Sequence, residues 1–347
     1  MYAQSLHPGF FFSNTMMRKI LPLLLLLLMA CGKNANRVEI EGNFEGIQQA
    51  QFYLYTDEGN LAFIDTLKVE NGKFTYNYTL QKPVILTLLF PNFSEIQLVA
   101  EPGKNIEVEG NAAHLLETKV SGSEENELLS DFRIQNQHLG EREIKMAVAD
   151  FIHSHSRTQA AIALFIQYFV KAEQPDAETA LTLLDALRKA QPENLLLLQI
   201  DTQNRAAFVN GVGKKIISFE AYALDSTKIT QASYDKPLLI TTFATWNNEC
   251  ISTIKALKKL RSTYGDSLAL LNIALDAEVE RLKVQMERDT MLSVTVCEQK
   301  GFDSPLALRL GLNRMPGHIL VDKDGTIVKR NIRTDHLEKH IDKLLKK

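Results

Sequence analysis

LLITTFATWNNEC, residues 238–250, decides how the C-terminal part of the chain is built. Leu238 to Phe243 is a run of apolar and β-branched residues behind Pro237, the composition of a central strand buried on both faces. Ala244-Thr245-Trp246-Asn247-Asn248 interrupts it. Beyond Glu249 the period becomes helical: Ile251, Ile254, Leu257 and Leu260 form an apolar stripe, Lys255, Lys258, Lys259 and Arg261 mostly face solvent, and Gly265 supplies a terminator. A strand that turns directly into a helix places the turn at a helix N-terminus, where free N–H groups favour negative charge. Outward from this stretch the pattern predicts strands over 268–275, 293–296, 318–321 and 326–330, and helices over 277–288, 305–310 and 335–346. That alternation implies an α/β sheet closed by an antiparallel hairpin and a final helix.

These residues resemble the thioredoxin-like superfamily, specifically the membrane-anchored TlpA/ResA-like thiol-disulfide oxidoreductases, over residues 212–347. The quoted stretch is similar to that family's strand and active-site turn, which continues into Cys-x-x-Cys. LGLNRMPGHILVDKDGTIV, residues 310–328, is similar to its cis-proline loop, strand and hairpin. The resemblance implies a thioredoxin fold, no cofactor, a cis bond before Pro316, and a groove among Trp246, Asn247, Met315 and Pro316. In that groove the residue before the proline offers its backbone to an extended peptide.

The motif departs from the family where the chemistry lies. Its four positions are Asn247-Asn248-Glu249-Cys250, so the first cysteine, the attacking nucleophile of the family, is missing. Asn247 cannot attack a disulfide, but its side chain can cap the helix in place of a thiolate. Cys250 matches the resolving position one turn into the helix, and is either a catalytic thiol or a buried inert one. Cys297, at the end of the strand predicted over 293–296, is a possible disulfide partner for it. A peroxiredoxin pattern would need Pro and Thr where Phe243 and Asn247 stand, which disfavours peroxidase chemistry. His318 is either a proton shuttle or simply a hydrogen-bonded strand histidine.

At the other end, Met17-Arg18-Lys19 precedes an apolar run to Leu28 that is too short to span a bilayer, and Leu28-Met29-Ala30-Cys31-Gly32 resembles a bacterial lipobox. Residues 1–31 then form a lipoprotein signal segment ending at Cys31, the lipidation site. The expected location is the bacterial cell envelope, lipid-anchored and periplasm-facing, with the membrane held through acyl chains.

Residues 36–120 alternate in short runs broken by turn residues, as in an antiparallel β-sandwich or barrel, and Asn71-Gly72 is a strong hairpin signal. The order IDTLKVENGKFTYNYTL, residues 64–80, resembles a domain of unknown function that often precedes thioredoxin-like domains in envelope lipoproteins. Tyr53, Tyr55, Tyr76 and Tyr78 are candidates for an aromatic binding face or for ordinary cross-strand pairs. Residues 123–210 take a helical period, with a helix over 177–190 stopped by Pro192, and form a helical connector. His153 and His155, two apart on a helix, are poorly placed to chelate a metal.

The chain has 347 residues, 45% hydrophobic, with Lys+Arg 39 against Asp+Glu 42. That is globular composition, and it offers no excess of positive charge for nucleic acid. Its 3 cysteines do not make a disulfide scaffold. No metal, cofactor or nucleic acid is expected. The expected partner is an envelope protein or peptide, bound by a thioredoxin-like domain with lost or altered dithiol activity. The alternatives are a thiol-disulfide oxidoreductase working through Cys250, alone or with Cys297, and a β-domain that itself binds a partner or glycan.

Overall fold

The computed structural model describes residues 35–56, 58, 62–172, 175–288 and 293–346, so the signal segment and Cys31 lie outside the described residues. The chain divides into two compact units between Ile134 and Gln135.

The first unit is an eight-stranded sheet curled around one core. Its strands are β1 (Arg37–Glu45), β2 (Gln49–Thr56), β3 (Phe63–Glu70), β4 (Lys73–Thr79), β5 (Val84–Leu89), β6 (Glu95–Ala100), β7 (Asn105–Asn111) and β8 (Lys119–Ser121). The order is β6-β5-β2-β3-β4-β1-β7-β8. Asn71 and Gly72 adopt φ of 51° and 76°, the left-handed pair that a tight primed hairpin requires. Phe44, Phe52, Phe74 and Phe90 meet in the core, with Phe52 edge-on to Phe44 and Phe90 at centroid distances of 5.0 and 5.1 Å. The ring of Phe74 lies where a Cβ on Gly42 would stand, so glycine is required beneath it.

Helix α1 (Glu124–Asn136) closes this sheet. The strands at the two ends of the order, β6 and β8, would each leave unpaired backbone groups. The Asn126 side chain takes both groups of Val99 in β6, accepting its N–H at 2.8 Å and donating to its carbonyl at 2.9 Å. One helical turn later, Ser130 Oγ does the same for Val120 in β8, at 2.8 and 3.0 Å. Both side chains are fully buried, so one residue of each edge strand has its N–H and carbonyl paired without a further strand.

The tyrosines do not form one face. Phe52 and Leu54 point into the core, which turns Tyr53 and Tyr55 outward, whereas Tyr76 and Tyr78 follow Phe74 inward. There β3 and β4 pair only at Glu70 and Lys73. Phe63, Tyr76 and Tyr78 stack into the gap, and the Tyr76 hydroxyl donates to Asp65 at 2.5 Å.

The second unit combines α2 (Glu141–His155), α3 (Gln159–Phe165) with a following π turn Ile166–Val170, α4 (Ala177–Ala190) and α5 (Leu195–Val209) with an α/β sheet. The first helix of the predicted connector thus belongs with the β-sheet unit, and the rest with the C-terminal sheet. A short hairpin, β9 (Glu220–Tyr222) and β10 (Lys228–Thr230), precedes β11 (Leu238–Phe243), α6 (Glu249–Tyr264), β12 (Ala269–Ala274), α7 (Val279–Arg288), β13 (Val294–Cys297), α8 (Pro305–Leu310), β14 (Gly317–Val321), β15 (Ile327–Arg330) and α9 (Leu337–Leu345).

The sheet order is β13-β12-β11-β14-β15, parallel from β13 to β11 and antiparallel beyond. All six residues of β11 are buried. Leu239 and Phe243 enter a core with Leu257 and Leu260 of α6 and Leu337 and Ile341 of α9, while Leu238 and Ile240 enter a second core with Leu306 and Leu310 of α8. This is a thioredoxin-like fold. Within the predicted stripe of α6, Ile251 is not part of the core: it is 51% exposed, and Cys250 and Thr253 are buried in its place.

Arg330 ties the helices to the sheet. Its buried guanidinium donates to the carbonyls of Asn210, Leu310 and Gly311, which end α5 and α8. Two helix C-termini, each the negative end of a dipole, therefore meet one cation. Gly311 adopts φ +65°, and a Cβ there would stand 2.1 Å from the Ala207 nitrogen, so α5 can pack this closely only against glycine. Arg330→Met should destabilise the second unit by about 3 kcal/mol, because charge-assisted bonds are lost and buried carbonyls orphaned. The midpoint of urea unfolding measures it, and Arg330→Lys should restore only part, since an ammonium lacks the planar fork.

Candidate functional site

The turn after β11 is fixed from below. Asp276, buried just beyond β12, accepts the Thr245 N–H at 3.2 Å with each carboxylate oxygen and the Thr245 hydroxyl at 2.5 Å. Thr245 is thereby held, and Trp246 behind it is 58% exposed. Asn247 Oδ1 accepts the Glu249 N–H at 2.7 Å, so the first free donor of α6 is taken by a neutral amide rather than left for an anion.

Cys250 lies behind this cap with 0% exposure. Its Sγ accepts the Ala244 N–H at 3.4 Å. Burial pushes its pKa up, and the Ala244 N–H opposes that shift while the charges of Glu249 and Asp276 add to it. At neutral pH it is a thiol. Cys297 ends β13, half-buried, and its Sγ donates to the Asp276 carbonyl at 3.3 Å. Burial is also the main cause that raises its pKa, opposed by the Gln299 N–H and reinforced by Asp276 and Glu298.

Both thiols are free. They pack against one core cluster, yet Cys297 faces Ala274 of β12 and Ala274 faces Phe243 of β11. Two inter-strand steps, about 10 Å, separate Cys297 from Phe243. Cys250 is anchored just past Phe243, and a disulfide needs Cα atoms about 6 Å apart.

Met315-Pro316 is a cis peptide bond. Thr242 Oγ1 braces the loop, donating to the Arg314 carbonyl and accepting the Gly317 N–H, both at 2.8 Å. His318, 1% exposed, is hydrogen-bonded at both ring nitrogens, to Thr241 Oγ1 at 3.0 Å and to Thr334 Oγ1 at 3.4 Å. Thr334 reaches on to Thr253 Oγ1 at 3.0 Å. Burial depresses the His318 pKa to about 4, so the imidazole is neutral at physiological pH.

A groove of about 850 Å³ opens beside the cis-proline, lined by Glu249, Ser252 and Ala256 along one face of α6, by Arg314 and Pro316, and by residues 331–335. Of the predicted groove residues, Pro316 lines it. Trp246 stands exposed on the turn, Asn247 is half-buried there, and Met315 is half-buried against the cores. Sequence reasoning missed Ser252, Arg314 and Thr334. Arg314 was the legible one, a charge next to a predicted cis-proline. No group of three or more potential metal ligands exists among the described residues.

Residues 38–129 match the family described as Domain of unknown function (DUF4369). No curated protein matches the sequence. Among solved structures, the chain is similar to the C-terminal domain of a candidate thiol-disulfide oxidoreductase from Bacteroides thetaiotaomicron, at 28% identity over 40% of this chain and 97% of that one, TM-score 0.35. It is also similar to a thiol-disulfide oxidoreductase from Bacteroides fragilis, at 24% identity over 38% and 99%, TM-score 0.35. A thioredoxin-like protein from Bacteroides caccae aligns over 63% of this chain and 82% of its own, at 16% identity and TM-score 0.48.

In the folded protein, iodoacetamide should label Cys297 slowly, faster with rising pH, and leave Cys250 untouched until denaturant is added. Peptide mass mapping checks this, and labelling of native Cys250 would contradict its burial. Stability should also fall as pH drops. The folded state holds His318 neutral down to about 4 while the unfolded chain protonates it near 6.5, so roughly 3 kcal/mol is lost between those values. His318→Gln should flatten that part of the urea-midpoint profile.

Proposed function

We propose that this is a membrane-anchored envelope lipoprotein whose thioredoxin-like domain binds an extended peptide or protein segment at the cis-proline groove, with its dithiol redox activity lost. The observation that supports this most is the pairing of Asn247 with the start of α6 above a fully buried Cys250. The position a thiolate would need is occupied, while the cis-proline loop and an open groove beside it are intact. Trp246 and Ile251, exposed on either side of Asn247, offer the apolar anchors that a bound segment would cover. Acylation at Cys31 would supply the tether.

A second reading, a thiol-disulfide oxidoreductase, draws on the names of the similar solved structures and on two thiols that both adjoin Asp276. In it, Cys250 attacks a substrate disulfide and one substrate thiol leaves. A glutathione thiol then attacks the Cys250 sulfur and releases the second substrate thiol, and a further glutathione frees Cys250, so two glutathione thiols become a disulfide as the substrate disulfide is reduced.

One experiment separates the two. Reduced, carboxymethylated α-lactalbumin, an extended chain without free thiols, should bind the purified protein, and Arg314→Glu with Trp246→Ala should weaken binding about tenfold or more. Insulin reduction under glutathione should show no turnover that depends on Cys250. Turnover abolished by Cys250→Ser would establish the oxidoreductase, and unchanged binding by the Arg314→Glu/Trp246→Ala variant would remove the surface made by the groove and the exposed turn.

A further inference from the structure

One face of the second unit gathers three lysines and two histidines, and among the described residues its lysines have no ion-pair partner. His336, Lys339, His340 and Lys343 recur at three- and four-residue spacing along and just before α9, which puts them on one side of the helix, opposite the buried Leu337 and Ile341. Lys329 joins them from β15, the last strand in the sheet order. His340 lies within electrostatic reach of the other four: burial first, and then the charges of Lys329, Lys339, His336 and Lys343, hold it below its ordinary pKa.

The carboxylates of the same helix are engaged elsewhere. Glu338 pairs with Lys259 at 2.6 Å, Asp342 accepts the Tyr264 hydroxyl at 2.7 Å and lies 3.9 Å from Lys346, and Asp335 is held by Arg333 at 3.0 Å. Among the described residues, Lys329, Lys339 and Lys343 have no acidic partner. This is unexpected in a chain whose net charge is −3.

We infer that this face rests on an anionic phospholipid surface. An acidic protein partner would normally be met by an apolar or aromatic anchor at the centre of its interface. Here the lysine charges sit on flexible stems, and neither their helix face nor Lys329 lines any groove described for this unit. Such a face suits a fluid, delocalised array of negative headgroups, in which each lysine contributes independently. The inference is independent of what occupies the cis-proline groove. It needs no acyl anchor, although a tether at Cys31 would raise the local concentration of the surface.

The test is co-sedimentation of the chain beginning at Lys33, without leader or acyl groups, with vesicles of phosphatidylcholine alone or with phosphatidylglycerol. Binding should require phosphatidylglycerol and fall as ionic strength rises past about 0.1 M. Lys339→Gln with Lys343→Gln should lower the partition coefficient about 25-fold, fivefold for each lysine. Both positions are exposed, and an unchanged urea midpoint confirms that the variant is folded. Equal binding to neutral vesicles, or no loss in the double variant, overturns the inference. Saturable binding to polyglutamate without binding to anionic vesicles also overturns it, and would assign the face to an acidic protein.

Discussion

Complete burial of β11 is the constraint on which the second unit depends. A strand covered on both faces has to send alternate side chains into two cores, and Leu239 and Phe243 on one side with Leu238 and Ile240 on the other do so. Its remaining positions, Thr241 and Thr242, are polar and fully buried, and each can stay there only by being bonded. Thr241 satisfies His318, and Thr242 braces the backbone on both sides of the cis bond. The central strand therefore fixes the cis-proline loop through a hydroxyl and delivers the turn at its own end, and the two halves of the candidate site are placed by one element.

Elsewhere the same problem, backbone groups stranded at the ends of regular structure, is solved by single side chains. Asn126 and Ser130 stand in for missing strands at two sheet edges. Arg330 gathers the terminal carbonyls of two helices, and Asn247 takes the first donor of a third. Each is a polar group placed where an unmade hydrogen bond would cost about 1–3 kcal/mol. Because each lies at a junction, the packing of helix against sheet rests on them as much as on apolar area.

What was legible in the sequence follows from this. Periodicity and turn chemistry are local, so β11, α8 between Pro305 and Leu310, and the Asn71-Gly72 hairpin could be placed from neighbouring residues alone. Parity along a strand is local too, and the inward course of Phe52 and Phe74 could have separated Tyr53 and Tyr55 from Tyr76 and Tyr78. The stripe on α6 went astray at Ile251 because the helix begins beside an open turn, where one face has nothing packed on it. Arg330 meets Asn210 across 120 positions of chain, and no pattern in either segment signals the other. One wall of the groove escaped local reading for the same reason: residues 331–335 return from a distant loop.

The Asn-Asn-Glu-Cys turn turns on competition for one position. The first N–H groups of a helix can stabilise a thiolate or be capped by a neutral amide, and a donor given to Asn247 Oδ1 is not available to sulfur. With that donor committed, the remaining thiol faces burial and two nearby carboxylates, Glu249 and Asp276, and every one of these raises its pKa. Asp276 cannot be moved away to relieve this, because it holds Thr245 and with it the turn. The features that shape the turn and the groove and those that would generate a thiolate are thus separable. The first depend on Thr242, Asp276 and Pro316, which are bonded or placed as described; a thiolate at the start of α6 would need an ionisable side chain at position 247, where asparagine stands.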